Sequence, residues 1–254
     1  MSLENLAAHL RRASRVTVMT GAGISAASGV PTFRGAEGLW RRYRPEDLAT
    51  AQAFHRDPLL VWEWYASRRA VVGGCAPNPG HHVLARWSRE RRCTVVTQNV
   101  DDLHHRAGTE GVIRLHGSLW ELRCAGMPVP GDGRRRRGVC PDGWRDETVP
   151  FVEMPPRCPH CGGLARPAVV WFGETLRESD VREATLATRC DLFIAIGTSA
   201  VVQPAAGFLH QAKRQGAVTA EINPAVTEAS GTVDIAIQGA AEDVLPGLDL
   251  LLSV

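Results

Sequence analysis

Residues 20–34 read TGAGISAASGVPTFR and directly follow RVTVM, a short apolar run whose alternation is typical of a buried β-strand. Gly21 and Gly23 allow the backbone to approach a pyrophosphate closely, and Ala26 completes a Gly-x-Gly-x-x-Ala spacing at which a helix N-terminus offers free N–H groups. In a dehydrogenase that helix continues for several turns, whereas the SGVP of this segment ends it almost at once. We therefore predict a dinucleotide site without ordinary hydride transfer, with Arg34 facing the phosphates. A tight turn with a surface arginine is the alternative interpretation.

The composition limits the possible functions. A chain of 254 residues is long enough for one large α/β domain or for a large and a small lobe. Its 29 Lys and Arg residues against 27 Asp and Glu give a formal charge of +2, so no overall field favours nucleic acid as the main partner. No apolar run has the length needed to cross a bilayer. We expect a soluble cytoplasmic protein, a monomer without membrane contacts.

Apolar runs of strand length alternate with helical patterns along most of the chain. The predicted strands are residues 16–20, 93–97, 112–115, 168–172, 192–197 and 218–222. The predicted helices are residues 5–13, 58–72, 80–90, 177–189 and 205–216. This alternation predicts an α/β fold with a doubly wound parallel sheet. Ligands of such sheets bind at the carboxyl ends of the strands, where this chain places QNVD (98–101), HGS (116–118), GTS (197–199) and EIN (221–223).

Two stretches interrupt the alternation and predict a second, smaller lobe formed by two insertions. Residues 35–74 are helical and rich in aromatic side chains, and residues 119–167 carry four cysteines and several prolines. The remaining segments, 1–34, 75–118 and 168–254, are predicted to form the large lobe.

The cysteines of the second insertion predict a structural zinc site. Cys158 and Cys161 form a Cys-x-x-Cys knuckle, but the expected upstream knuckle is broken because Met127 stands where Cys124 requires a partner. Cys140 offers a replacement, since its separation from Cys158 falls in the range of about 15 to 20 residues that is typical of two-knuckle sites. We predict a four-thiolate zinc ion without a catalytic role. The alternative is that the first knuckle has decayed and packing alone holds the lobe.

Six motifs occur in one order along the whole chain. They are GAGIS with PTFR (21–34), TQNVD (97–101), LHGS (115–118), the late CPHC (158–161), VWFGE (170–174) and GTS (197–199). Together they resemble the sirtuins. The resemblance implies a Rossmann-like lobe with a small zinc lobe, and an NAD-dependent enzyme that removes acyl groups from protein lysines, releasing nicotinamide and 2'-O-acyl-ADP-ribose.

The resemblance also implies roles for individual residues. In sirtuins a histidine deprotonates a ribose hydroxyl after nicotinamide has left, and His116 matches that base; a packing or capping histidine is the alternative. Asn99 and Asp101 match residues near the nicotinamide ribose and carboxamide, although they could equally cap the following helix. The cofactor contacts implied by the resemblance are Gly21, Ala22, Gly23, Ile24, Phe33, Arg34, Gln98, Asn99, Val100, Asp101, Gly197, Thr198, Ser199, Asn223 and Ala241. The strand that sandwiches the substrate backbone is matched by Val170, Trp171, Phe172, Gly173 and Glu174.

Tyr65 and Arg68 predict the kind of acyl group. Residues three apart on a helix share one face, so this phenol and guanidinium can form a trap for a carboxylate. Their segment resembles the class III sirtuins, which prefer malonyl-, succinyl- or glutaryl-lysine over acetyl-lysine. The alternative is that Arg68 pairs with a surface acid such as Glu63 and that Tyr65 is ordinary packing.

Three other functions stay open at this point. They are a general NAD-dependent deacetylase, a mono-ADP-ribosyltransferase, and a non-catalytic NAD-sensing module that uses the arginine run at residues 134–137 as a contact surface. His116 argues against the last of these, because binding alone requires no base.

Overall fold

The fold contains two β-sheets and nine α-helices within the part of the chain that the computed structural model describes, residues 3–33, 38–39, 44–128, 139–199 and 202–252. The strands are β1 (Val16–Thr20), β2 (Cys93–Thr97), β3 (Ile113–Arg114), β4 (Gly117–Cys124), β5 (Trp144–Arg145), β6 (Ala165–Val169), β7 (Leu192–Ile196), β8 (Val218–Asn223) and β9 (Ile235–Gln238). The α-helices are α1 (Leu3–Arg12), α2 (Pro45–Leu48), α3 (Ala51–Arg56), α4 (Pro58–Gly73), α5 (Pro79–Glu90), α6 (Leu103–Arg106), α7 (Glu178–Ala187), α8 (Ala205–Arg214) and α9 (Ala241–Leu252).

The large sheet is parallel throughout and has the strand order β3-β2-β1-β7-β8-β9. From β1 the chain adds β2 and β3 on one side, and it later adds β7, β8 and β9 on the other side of β1. The direction in which strands are added therefore reverses between β1 and β7. Thr20 is in register with both Thr97 and Ile196, and the loops that follow these three strands therefore begin side by side. This topology confirms the predicted α/β fold class, and it places the switch point where such sheets bind their ligands.

Both faces of the large sheet are covered. Val18 packs with α1, α5 and α9 in one core cluster, whereas its neighbour Met19 packs with α8 in another on the opposite face. All five residues of β1 and of β7 are buried, as expected of parallel strands with helices on both sides.

The small sheet is antiparallel with the order β5-β4-β6, and it packs against α4. Its core contains Trp62, Tyr65, Leu119 and Trp171. The indole N–H of Trp62 donates to the carbonyl oxygen of Ala165 at 2.9 Å, which ties α4 to β6. The lobe boundaries given above stay a prediction.

Several local predictions were wrong or incomplete. The strand predicted at residues 168–172 instead ends at Val169 and pairs with β4 rather than joining the large sheet. The strands β4 and β9 and the helix α9 were not predicted; Pro246 inside α9 obscures its helical pattern. The glycine-rich segment forms a 3₁₀ helix, Ala22–Ser28, and Gly29 at φ 88° ends it, so the predicted early termination is confirmed.

No helix in the described part of the chain is both long enough and apolar enough to span a membrane.

Candidate functional site

A cleft of about 1040 Å³ opens at the switch point and extends to the small sheet. Most predicted site residues line it, namely Gly21, Ala22, Gly23, Phe33, Tyr65, Arg68, Gln98, Asn99, Val100, His116, Val170, Trp171, Phe172, Gly173, Glu174, Gly197, Thr198, Ser199 and Asn223. Ile24 and Ala241 are instead buried in the core beneath the large sheet, and Asp101 lies behind the wall of the cleft. Arg34 lies outside the described residues.

The floor of the cleft at the switch point is made of backbone. The N–H of Gly23 donates to the carbonyl oxygen of Gly197 at 2.8 Å, and a Cβ on Gly23 would lie 2.6 Å from the Cα of Gly197. A Cβ on Gly21 would lie 2.7 Å from the carbonyl oxygen of Gly197. The small residues are thus required by the contact of two turns, and the surface they leave fits a dinucleotide that approaches the main chain closely.

The imidazole of His116 has a defined tautomer. Its Nδ1 lies 2.9 Å from the carbonyl oxygen of Gln98, and because a carbonyl only accepts, Nδ1 carries the proton. The other ring nitrogen is therefore left as an acceptor in a side chain that lines the cleft. Burial lowers the pKa of His116 below its ordinary value, although the hydrogen bond to Gln98 opposes this shift. The group is accordingly a neutral base at physiological pH.

Behind His116, a polar network fixes the loop that follows β2. Asp101 accepts from the backbone N–H of Leu103 at 2.9 Å and from the hydroxyl of Ser25 at 2.8 Å. The side-chain amide of Asn99 donates to the carbonyl oxygen of Gly21 at 3.1 Å and to Ser25 at 3.2 Å. Asp101 thus helps to start α6, as the capping alternative predicts, and also holds the hydroxyl that Asn99 contacts. Ser25 belongs to the GAGIS motif but was not predicted as a site residue, although its hydroxyl joins Asn99 to Asp101.

The guanidinium of Arg68 is buried, with 8% of the residue exposed. Its Cζ lies 4.5 Å from the ring centroid of Phe33 and 5.0 Å from that of Trp64. Its Nη1 has no hydrogen-bond partner among the described residues, and burial lowers its pKa. No ion pair with Glu63, which is exposed, occurs within the described ranges, so the surface-pairing alternative is not what the structure shows.

Tyr65 lies beside Arg68 on α4 and is 4% exposed. Its hydroxyl oxygen accepts from the indole N–H of Trp171 at 2.9 Å, which leaves the phenolic proton free to be donated. Burial raises the pKa of Tyr65 to about 12, so the phenol stays protonated at physiological pH. Trp64, which was not predicted as a site residue, completes this end of the cleft.

The segment after β6 forms one wall of the cleft without being a strand. The N–H of Phe172 donates to the carbonyl oxygen of Ala49 at 2.9 Å, and Gly173 has φ 84°. The carboxylate of Glu174 accepts from Arg166 at 2.6 Å and from the N–H of Trp171 at 3.0 Å. Although burial raises the pKa of Glu174, these hydrogen bonds lower it overall, so this carboxylate is ionised and serves to brace the wall.

The four predicted cysteines of the small lobe form one cluster. The Sγ atoms of Cys124, Cys140, Cys158 and Cys161 all lie within 4.8 Å of one another. Cys124 and Cys161 are 3.6 Å apart, and Cys140 and Cys158 are 3.8 Å apart. Four thiolates bound to zinc at about 2.3 Å would be about 3.8 Å apart, so this donor set fits one structural ion. Cys140 therefore lies where the missing knuckle cysteine is needed, and its role as a zinc ligand stays a prediction. The arginine run at residues 134–137 lies outside the described residues.

Met127 lies beside the turn that carries Cys161. Its side chain packs against the core of the small sheet, and its carbonyl oxygen accepts from the N–H of Leu164 at 2.9 Å. The thioether is therefore used as an apolar group, and the backbone of Met127 supports the turn that carries Cys161.

The position of the cleft at the switch point, together with a neutral histidine in its wall, places the protein among α/β enzymes that bind a dinucleotide for acid–base chemistry. The family follows from comparison with known proteins. A model of the Sir2 family matches residues 21–204, and the chain belongs to this family, the sirtuins. It is an NAD-dependent protein deacylase by this membership.

Two relatives are similar in sequence to this protein over nearly its whole length. The chain is 44% identical over 245 residues to "NAD-dependent protein deacylase 1" of Caldanaerobacter subterraneus subsp. tengcongensis, covering 95% of this chain and 96% of the relative. It is 48% identical over 242 residues to "NAD-dependent protein deacylase 1" of Pseudomonas aeruginosa, covering 94% of each.

A mutant Sir2 homologue in complex with ADP-ribose has a TM-score of 0.90 and 41% identity, covering 100% of this chain and 97% of that chain. A Sir2 protein bound to a myristoylated histone peptide has a TM-score of 0.76 and 31% identity, covering 99% and 96%.

Proposed function

We propose that this enzyme removes negatively charged acyl groups from protein lysines, with succinyl, malonyl and glutaryl preferred and acetyl removed more slowly. The observation that carries the proposal is the buried guanidinium of Arg68, whose Nη1 has no hydrogen-bond partner among the described residues. It lines the same cleft as His116.

A carboxylate supplied by the acyl chain fits this position. Burial of this guanidinium is only partly offset by the Coulombic attraction of Asp101, and its Nη1 has no hydrogen-bond partner among the described residues. A substrate carboxylate would add an anionic partner and accept from the planar guanidinium. The rings of Phe33 and Trp64 hold the guanidinium, so little side-chain freedom is lost when the carboxylate binds. The free phenolic proton of Tyr65 supplies a further donor. An acetyl group has no carboxylate and therefore gains nothing from Arg68 or Tyr65.

The proposed reaction uses His116 as the base. Bound NAD would supply an anomeric carbon and ribose hydroxyls. The unprotonated Nε2 of His116 accepts a proton from one of those hydroxyls, and the carbonyl oxygen of Gln98 stabilises the positive charge that then forms on the ring. The turns at Gly21, Gly23 and Gly197 would hold the pyrophosphate side, and Asn99 the nicotinamide side.

Acylated lysines of proteins are the proposed substrates. Residues 170–174 line the cleft, and an extended substrate main chain is proposed to lie along this wall. Sir2 structures with 31% and 27% identity to this chain were solved with a myristoylated histone peptide and with a deacetylated p53 peptide, which supports a peptide substrate here.

The test is a kinetic comparison of one peptide carrying acetyl-, malonyl-, succinyl- or glutaryl-lysine, followed by mass spectrometry with NAD added or omitted. We expect NAD-dependent loss of all four groups, with kcat/KM for the anionic groups about tenfold or more above that for acetyl. Equal or faster removal of acetyl would contradict the acyl preference while leaving the deacylase activity intact. A myristoyl peptide is a useful fifth substrate, because its long apolar chain cannot pair with Arg68.

A further inference from the structure

We propose that Arg145, on the small sheet, is a positioning residue for the cofactor loop, defined here as residues 98–102. This inference rests on the proposed role of Asn99 beside the nicotinamide ribose. Arg145 lines no part of the main cleft and acts through Asp102.

Asp102 is a buried charge that depends on Arg145. Its side chain is 1% exposed, and its Oδ2 accepts from Nη1 of Arg145 at 2.7 Å. The Oδ1 has no hydrogen-bond partner among the described residues; Nη1 of Arg114 lies 3.8 Å away, beyond hydrogen-bond distance. His105 is 3.5 Å from Oδ2 but is largely exposed. The short contact from Arg145 is therefore the strongest interaction of this carboxylate.

The backbone of Asp102 makes the loop sensitive to that contact. Its φ of 70° is the one positive value at a non-glycine position within the described ranges, and it lies directly before α6. An aspartate tolerates this left-handed conformation only when its surroundings favour it. The ion pair thus holds the loop at the point where the chain turns into α6.

The small sheet contacts the same loop in two further places. The N–H of Leu119 donates to the carbonyl oxygen of Val100 at 2.9 Å, and the indole N–H of Trp120 donates to that of Asp101 at 2.9 Å. Both residues belong to β4, which pairs with β5 through Glu121 and Arg145 and ends at Cys124 of the cysteine cluster. The three contacts form a continuous connection from the cysteine cluster to the loop, and Arg145 supplies its charged member.

Loss of the Arg145 charge would leave Asp102 buried without its main partner, and the loop would favour conformations in which that carboxylate reaches water. Asn99 would then leave its position at the cleft. Binding of NAD stabilises the original conformation again, so the effect falls mainly on affinity and much less on kcat at saturating NAD.

The experiment measures Kd for NAD by calorimetry, and KM for NAD and kcat with a saturating succinyl-lysine peptide, on intact zinc-loaded protein. The variants are Arg145→Met, Arg145→Lys, Asp102→Gly and the double variant Arg145→Met with Asp102→Gly. Glycine adopts φ 70° without strain and brings no carboxylate, so the double variant removes the charge that Arg145→Met leaves unpaired. Lys213→Met is the matched control, because Lys213 pairs with Asp234 at 2.8 Å and its side chain is 42% exposed, against 41% for Arg145. Lys213 belongs to α8 and does not line the cleft.

We expect Kd and KM for NAD to rise about tenfold in Arg145→Met, with partial recovery in Arg145→Lys and kcat within about threefold. The double variant should bind NAD more tightly than Arg145→Met. The proposal is overturned if Arg145→Met resembles Lys213→Met, or if the double variant binds no better than Arg145→Met. A wild-type enzyme that binds NAD but removes no acyl group would contradict the proposed function instead, and the Kd comparison would still decide the role of Arg145.

Discussion

Replacing Arg68 by Met should separate anionic from neutral acyl substrates. Methionine keeps an unbranched apolar chain between the rings of Phe33 and Trp64 but offers no charge to a carboxylate. The proposed pocket then loses its guanidinium, while its volume and packing stay nearly the same.

The size of the effect follows from the burial of Arg68. A hydrogen bond to a charged group contributes about 1.5–3 kcal/mol, and no large discount for solvent screening applies at this buried position. At about 1.4 kcal/mol per tenfold, kcat/KM for succinyl-lysine should fall roughly 10- to 150-fold. The value for acetyl-lysine should stay within about threefold or improve, because the variant removes a buried cation whose Nη1 lacks a partner.

The assay is steady-state deacylation of matched succinyl and acetyl peptides at saturating NAD, with thermal unfolding measured in parallel. Arg56→Met is the control, since Arg56 is exposed and pairs with Asp47 outside the cleft. Equal losses on both peptides would refute the reasoning and would make Arg68 a structural residue. If both kcat/KM values and the melting temperature stayed as in the wild-type enzyme, the substrate carboxylate would have to bind elsewhere.

The other predictions concern the base and the metal. His116→Ala should abolish deacylation of every acyl peptide while NAD still binds; retained activity measured by mass spectrometry would remove this residue from the mechanism. Because burial lowers the pKa of His116 and the protonated ring cannot act as a base, kcat/KM should stay high at neutral pH and fall only as the pH drops below about 6.5, the ordinary value; a pH–rate profile whose acidic limb lies above that value would contradict the assigned environment. Cys140→Ser should lower the zinc content from one ion per chain and lower the melting temperature; unchanged metal analysis would exclude Cys140 as a ligand.

The sequence was most informative where local pattern and topology agree. The motifs after β1, β2 and β7 could be placed at one edge of the sheet because parallel strands bring their carboxyl ends together, and the spacing of Cys140 from Cys158 led to the four-thiol cluster. These inferences require only strand direction and the preferences of a metal.

Contacts between distant segments could not be predicted in this way. That β6 pairs with β4 depends on long-range antiparallel packing, and apolar runs of this length do not reveal their partner strand. The hydrogen bond from Trp171 to Tyr65 joins positions 106 residues apart. The left-handed Asp102 has no local signature either, and its side chain pairs with an arginine of the small sheet that lies 43 residues further along the chain.

The two ends of the cleft differ in how far substitution can alter them. At the coenzyme end, the turns of Gly23 and Gly197 touch through main-chain atoms, so almost any side chain added at either position collides with the other turn. At the end where the acyl group is proposed to bind, three of the lining residues, Trp64, Tyr65 and Arg68, are side chains of α4, and such side chains can be exchanged without moving the backbone. Single changes on one helix can therefore alter the substrate preference of such an enzyme, while the glycine turns proposed to bind the coenzyme stay unchanged.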